Sequence, residues 1–196
     1  MEVGSKFALE KIAHNLYSVF FEGADCHAFK EVFENWNDIE YLFDFFEDHQ
    51  KDLQSDFWTS FFGKMISTEE AIARTRRQID AFERKIIDLA NSTTAPDETN
   101  LSTLFVPLLK QNTARKPLLN SATKAYGFTR KGWLRIYAVR IADVFIVTGG
   151  AIKLTRSMEE RPHTQTELNK LLNVASSLKQ NHFSENTDFG TGYIEI

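Results

Sequence analysis

The 196-residue sequence contains a single cysteine, Cys26, so no disulfide can form within one chain. It also lacks any apolar run near the ~20 residues that a membrane-spanning helix needs. The N-terminal stretch MEVGSKFALEK has neither the basic nor the apolar region of a secretory signal. We therefore expect a cytoplasmic protein that does not associate with membranes.

Familiar cofactor and metal motifs are missing as well. No GxxxxGK[ST] or GxGxxG loop occurs to cradle a nucleotide, and no GxSxG nucleophile motif is present. The five histidines show no metal-ligand spacing. The acidic residues between positions 38 and 48 are typical of a solvated helix face. We expect no cofactor and no metal site.

The formal net charge of -4 conceals a strong asymmetry along the chain. Residues 1–109 contain 10 basic and 20 acidic residues, whereas residues 110–180 contain 13 basic and 4 acidic residues. This segregation predicts that the basic half contacts a polyanion, with nucleic acid as the first candidate. The alternative is that chance and solubility explain part of the distribution.

Hydrophobic periodicity predicts an α+β protein with one domain over residues 1–196 and a small antiparallel sheet. We expect two N-terminal strands in 1–24, an acidic helical insertion in 25–95, a basic core in 110–180 and a tail in 181–196. Three capping-box patterns predict helix starts. The pairs are Asn37 with Glu40, Ser67 with Glu70, and Thr164 with Glu167. The predicted second helix has an apolar stripe of Ile39, Leu42, Phe43 and Phe46.

The segments WLRIYAVRI and VFIVTGG predict an antiparallel hairpin joined by Ala142-Asp143. Arg135 and Arg140 lie at odd separation on its first strand, so they should point to opposite faces of the sheet. Lys153 follows its second strand. Positive groups here can bind phosphate oxygens and stabilise a pentavalent phosphorane during attack by a ribose 2′-hydroxyl.

Such a reaction also needs a base and an acid. His163, Tyr137 or a lysine with a depressed pKa can serve. Further candidate RNA-binding cations flank the hairpin; they are Arg130, Lys131, Arg140, Arg156 and Arg161. The alternative is that the strand arginines are ordinary edge charges and Lys153 a solvated loop residue.

The run WLRIYAVR…VFIVTGGAIKLTRSM, followed by a helix, resembles the C-terminal half of RelE/HigB-type toxins of bacterial toxin–antitoxin systems. Arg135 matches the strand arginine of that pattern, and Lys153 and Thr155 match the first and last positions of its "KKT". Leu154 stands where the second lysine is usual. The resemblance covers about 50 residues and implies metal-independent, ribosome-dependent mRNA cleavage by a small α/β fold.

The resemblance also implies that Arg135 and Lys153 are active-site residues and that an antitoxin protein is a partner. A homodimer is a further expectation. Two other functions stay open: a non-catalytic RNA- or protein-binding module on the same scaffold, and an interaction protein that works through its acidic helices.

Overall fold

The architecture is a seven-stranded sheet with helices on both faces. The computed structural model describes residues 6–92, 100–108, 121–127, 132–184, 187, 189 and 193–195. Within these residues the chain forms seven α-helices, one 3-10 turn and seven strands. No helix of the described residues is both long and apolar enough to cross a bilayer.

The sheet is mainly antiparallel and runs in the order β3-β4-β5-β6-β2-β1-β7. Its strands are β1 (Phe7–Ala13), β2 (Leu16–Phe21), β3 (Phe105–Pro107), β4 (Ala122–Tyr126), β5 (Leu134–Ile141), β6 (Val144–Ile152) and β7 (Tyr193–Glu195). The two predicted hairpins, β1–β2 and β5–β6, are confirmed. The sheet is larger than predicted, and β2 pairs with β6 in parallel.

The helices are α1 (Ala28–Asn37), α2 (Ile39–Asp48), α3 (Gln50–Leu53), α4 (Asp56–Phe62), α5 (Thr68–Asn91), α6 (Leu101–Leu104) and α7 (Pro162–Gln180). Helix α1 packs on β6, and α5 crosses α1 and α2. The aromatic side chains Trp36, Phe46, Phe82 and Trp133 are buried in this layer. The buried side of α5 therefore packs against the other helices.

The opposite face of the sheet is covered by α7, which lies mainly over β6. Its residues Leu168, Leu171 and Leu178 are buried against Tyr137 and Ile146 of the sheet. Because α7 touches β4 at few points, the β4 side of this face is left for a cavity.

Two of the three predicted helix starts are wrong in detail. Helix α2 is capped by Asp38, not Asn37, because the Asp38 carboxylate accepts hydrogen bonds from the backbone N–H groups of Glu40 and Tyr41. The shift exposes Ile39 and Phe43, and Phe45 is buried with Leu42 and Phe46 instead. Ser67 caps α5 as predicted.

Helix α7 begins at Pro162, two residues before the predicted cap. Thr164 is buried in its first turn and donates its hydroxyl hydrogen bonds to the carbonyls of Met158 and Arg161. Glu167 turns toward the sheet, where burial raises the pKa of its carboxyl. A proline tolerates the first helical position because its missing N–H has no partner there in any case.

The two glycines of the VTGG segment are explained by close packing on both faces of β6. A Cβ at Gly149 would lie 1.8 Å from the Glu167 carboxylate, and Gly149 has φ +154°. A Cβ at Gly150 would lie 2.8 Å from Val32 of α1 and 2.7 Å from the Arg135 carbonyl. These glycines therefore allow α1 and α7 to approach the same strand from opposite sides.

Candidate anion-binding pocket

A cavity of about 1100 Å³ opens on the α7 face of the sheet, beyond the area that α7 covers. Strands β4 and β5 form its floor, and the segment after β6 forms one side. Helix α4 and the 3-10 turn at Met158–Glu160 form its walls. Its basic lining residues are Lys124, Arg135, Lys153 and Arg156.

The pleat of the sheet brings the floor residues together. Arg135 and Tyr137 are two residues apart on β5 and share one face. Across the β4–β5 ladder, Tyr126 pairs with Arg135 and Lys124 pairs with Tyr137. Two cations and two phenols therefore form one patch.

Lys153 reaches the same face because of a β-bulge in β6. Tyr137 pairs with Gly149, but Ala138 pairs with Val147, so Thr148 is an extra residue in β6. An unbulged strand would place Lys153 on the face of Val147, inside the helical core. The bulge reverses the alternation and directs Lys153 toward Arg135.

Arg135 is a constrained cation. Its guanidinium lies 4.1 Å from the centre of the Tyr126 ring, and Nη1 donates hydrogen bonds of 2.7 Å to the carbonyls of Gly132 and Leu134. Burial lowers the pKa of Arg135 from its ordinary value. Among the residues that the structure describes, no carboxylate forms an ion pair with Arg135. Its charge is thus available to a ligand.

Lys153 is held close to a like charge. Its Nζ donates hydrogen bonds to the carbonyls of Thr155 and Arg156. Burial, followed by the nearby charge of Arg135, lowers the pKa of Lys153 to about 8. An amine with this pKa is partly neutral just above neutral pH, so it can exchange a proton with a substrate.

Tyr137 contributes a hydroxyl without a partner. The side chain is fully buried, and its Oη has no hydrogen-bond partner among the described residues. Burial raises the pKa of Tyr137, so the phenol stays protonated at neutral pH. Tyr137 is therefore poorly suited to act as the base that the sequence predicted, and its hydroxyl lies beneath the surface of the cavity.

Four carboxylates, Asp52, Asp56, Glu159 and Glu160, line the walls. Asp52 is bound by Arg161, with a separation of 2.6 Å from Nε to Oδ2. Glu160 accepts a hydrogen bond of 2.5 Å from the backbone N–H of Ser157. Three of the four lining cations, Lys124, Arg135 and Lys153, are thus on or next to the sheet, whereas Arg156 and the carboxylates belong to α3, α4 and the segment around the 3-10 turn.

Three predicted site residues lie outside the pocket lining. His163 packs its ring 5.1 Å from that of Phe45 and 4.7 Å from that of His49. Arg161 is engaged by Asp52. Arg140 points to the opposite face from Arg135, as its odd separation predicted, and lies 5.3 Å from the Phe145 ring. Arg130 and Lys131 lie outside the described residues.

Several lining residues were not among the sites predicted from the sequence. Lys124 and Tyr126 belong to the segment ATKAY, whose alternation is a weak strand signal inside a basic stretch. Phe57 and Trp58 belong to the aromatic segment SDFWTSFF, which has no binding motif. Most of this segment forms α4, in which Trp58 is buried and Phe57 lines the cavity.

No protein-family model, curated protein or solved structure matches the chain.

Proposed function

We propose that the pocket binds the phosphate backbone of RNA and that the protein is a RelE/HigB-like toxin that cleaves mRNA without a metal. One observation carries the proposal. Arg135 and Lys153, the two residues singled out by the resemblance, line one cavity together with Lys124 and the buried hydroxyl of Tyr137. Closely spaced cations on one side of a cavity favour a phosphate diester.

The chemistry proposed is an internal transesterification. The ribose 2′-oxygen attacks the adjacent phosphorus, the P–O5′ bond breaks, and the products carry a 2′,3′-cyclic phosphate and a 5′-hydroxyl. Neutral Lys153 accepts the 2′-hydroxyl proton, and water or a protonated group supplies a proton to O5′. Arg135 stabilises the charge that develops on the phosphorane oxygens.

In this proposal the protein acts on ribosome-bound mRNA in the cytoplasm, and an antitoxin protein neutralises it. Such an antitoxin would have to cover or distort the cation patch, because free access to it is what the cleavage reaction requires.

A non-catalytic RNA-binding module is the second candidate. It is favoured by the two carbonyl groups that accept hydrogen bonds from the Lys153 ammonium, because acceptors stabilise the charged form. In this case the cation patch binds RNA and no product forms.

The decisive experiment is an in vitro cleavage assay with end-labelled RNA, with and without ribosomes. We expect metal-independent cleavage that leaves 2′,3′-cyclic phosphate ends. Arg135→Ala and Lys153→Ala should each lower the rate by about 100-fold or more. Arg140→Ala is the matched control, because this arginine of the same strand lies on the other face and should leave the rate unchanged.

The outcomes separate the candidates. Binding without cleavage, lost in the Lys153→Ala variant, supports the non-catalytic module. Cleavage that survives both pocket variants, or intact RNA with no binding, contradicts the proposed function.

A further inference from the structure

Phe57 is an exposed aromatic residue at the wall of the cation-lined cavity. Phe57 is the second residue of α4, and 51 % of its surface is exposed to solvent. An aromatic ring left in water beside a charged pocket loses the free energy that burial would provide. Its position at the cavity wall allows it to contact the flat apolar face of a ligand.

Trp58, the next residue in the sequence, holds the backbone of Phe57 in place relative to the cations. Trp58 is buried, and its indole Nε1 donates a 2.8 Å hydrogen bond to the carbonyl of Leu154, the residue after Lys153. Trp58 also packs against Trp133 with ring centres 5.4 Å apart. Phe57 and Lys153 are therefore each adjacent in sequence to one partner of the buried Trp58–Leu154 hydrogen bond.

The charges of the cavity determine how a polyanion would lie in it. Lys124, Arg135 and Lys153 occupy the sheet side, and Asp56 and Glu159 occupy the walls. Phosphates are attracted to the sheet side and repelled by the carboxylates. The uncharged part of a nucleotide, its base, is therefore the part that faces α4.

We propose that Phe57 is a stacking platform for one base of a single-stranded RNA whose adjacent phosphate lies on the Lys124, Arg135 and Lys153 side of the cavity. The inference rests on the proposed RNA binding and names the substrate class as unpaired RNA. A cavity of about 1100 Å³ exceeds the roughly 300–1,000 Å³ of ordinary small-ligand pockets, so it has room for a nucleotide. A base paired in a duplex has its faces covered by its neighbours and cannot stack on Phe57.

Binding of an uncleavable oligonucleotide tests the platform. The probe is a fluorescent single-stranded oligonucleotide with 2′-O-methyl riboses, which lack the attacking hydroxyl. A second probe has the same backbone with abasic positions. Phe57→Ala should weaken binding of the first probe by about 5- to 100-fold, the range for loss of one stacked base, and leave the abasic probe unchanged.

The controls separate stacking from folding and from charge. Phe57→Tyr should restore binding, because a phenol ring also stacks. Phe43→Ala is the matched control, since Phe43 is 46 % exposed on α2 and does not line the cavity. Lys153→Ala should weaken both probes, because it removes a phosphate contact.

The outcomes distinguish the two proposals. Wild-type binding that Phe57→Ala leaves unchanged, or weakens equally for both probes, overturns the platform but not RNA binding. A wild-type protein that binds neither probe overturns both.

Discussion

Replacing Lys153 by methionine should stabilise the folded protein at pH 7. The ammonium of Lys153 is partly buried and close to the uncompensated charge of Arg135. Both effects disfavour the charged amine in the folded state relative to the unfolded chain. Methionine has a similar length and no charge, so it removes the repulsion and can still fill the space.

The size of the effect follows from two opposing terms. The pKa of Lys153 falls from 10.5 to about 8, which corresponds to at most ~3.4 kcal/mol at about 1.36 kcal/mol per unit. Solvent at this open cavity screens part of this destabilisation, so that roughly 2 kcal/mol remains. The variant also loses hydrogen bonds to two carbonyls that water can reach, at a cost of about 1 kcal/mol. We therefore expect a gain of ~1 kcal/mol.

The pH dependence gives the sharper signature. Because the folded-state pKa lies below the unfolded one, the unfolded chain binds more protons between pH 8 and 10.5, and wild-type stability rises through this window. The advantage of Lys153→Met should be complete below pH 8 and shrink as the pH approaches 10.5. Urea unfolding of the wild type and of Lys153→Met at several pH values measures this difference in stability. Lys85→Met, at an exposed position of α5, is the control. A variant that is less stable than wild type at pH 7, or a difference independent of pH, would refute the reasoning.

Four other substitutions test the packing around the pocket. Gly149→Ala should lower the unfolding free energy by at least ~2 kcal/mol, and Glu167→Ala should restore part of it by removing the contacting carboxylate. Trp58→Phe should cost about 1–3 kcal/mol in urea unfolding, because it leaves the buried Leu154 carbonyl without its donor. Leu154→Lys should cost several kcal/mol, seen as a large drop in melting temperature, because it places an ammonium in the helical core.

Alternation and helical periodicity were sufficient to predict the two hairpins and most of the buried helix residues. Phe29, Val32, Phe33 and Trp36 recur at spacings of three and four, which indicates one face of a helix, and all are buried in α1. The opposite orientations of Arg135 and Arg140 were also predictable. These properties depend on residues near one another in the sequence, where the repeat of a strand or helix decides which side chains share a face.

Properties that depend on long-range packing could not be predicted. The N-cap of α7 was misplaced because Thr164 and Glu167 match a local capping pattern, whereas in the fold they face Met158 and the sheet. The floor residue Lys124 was missed because its strand is defined only by pairing with β5. The parallel pairing of β2 with β6, strands more than 100 positions apart, has no local signal.

The position of Leu154 links the helical layer to the site. The bulge at Thr148 directs Lys153 into the cavity, so the next residue must point to the other face, where α4 packs. On a sheet without that helical cover, a lysine at this position would reach solvent; here it would be buried among aromatic rings. An apolar residue such as leucine therefore fits the packing of the helices at this position, and it removes no cation from the cavity lining. Arg156 and Lys124 also line the cavity and add positive charge to it.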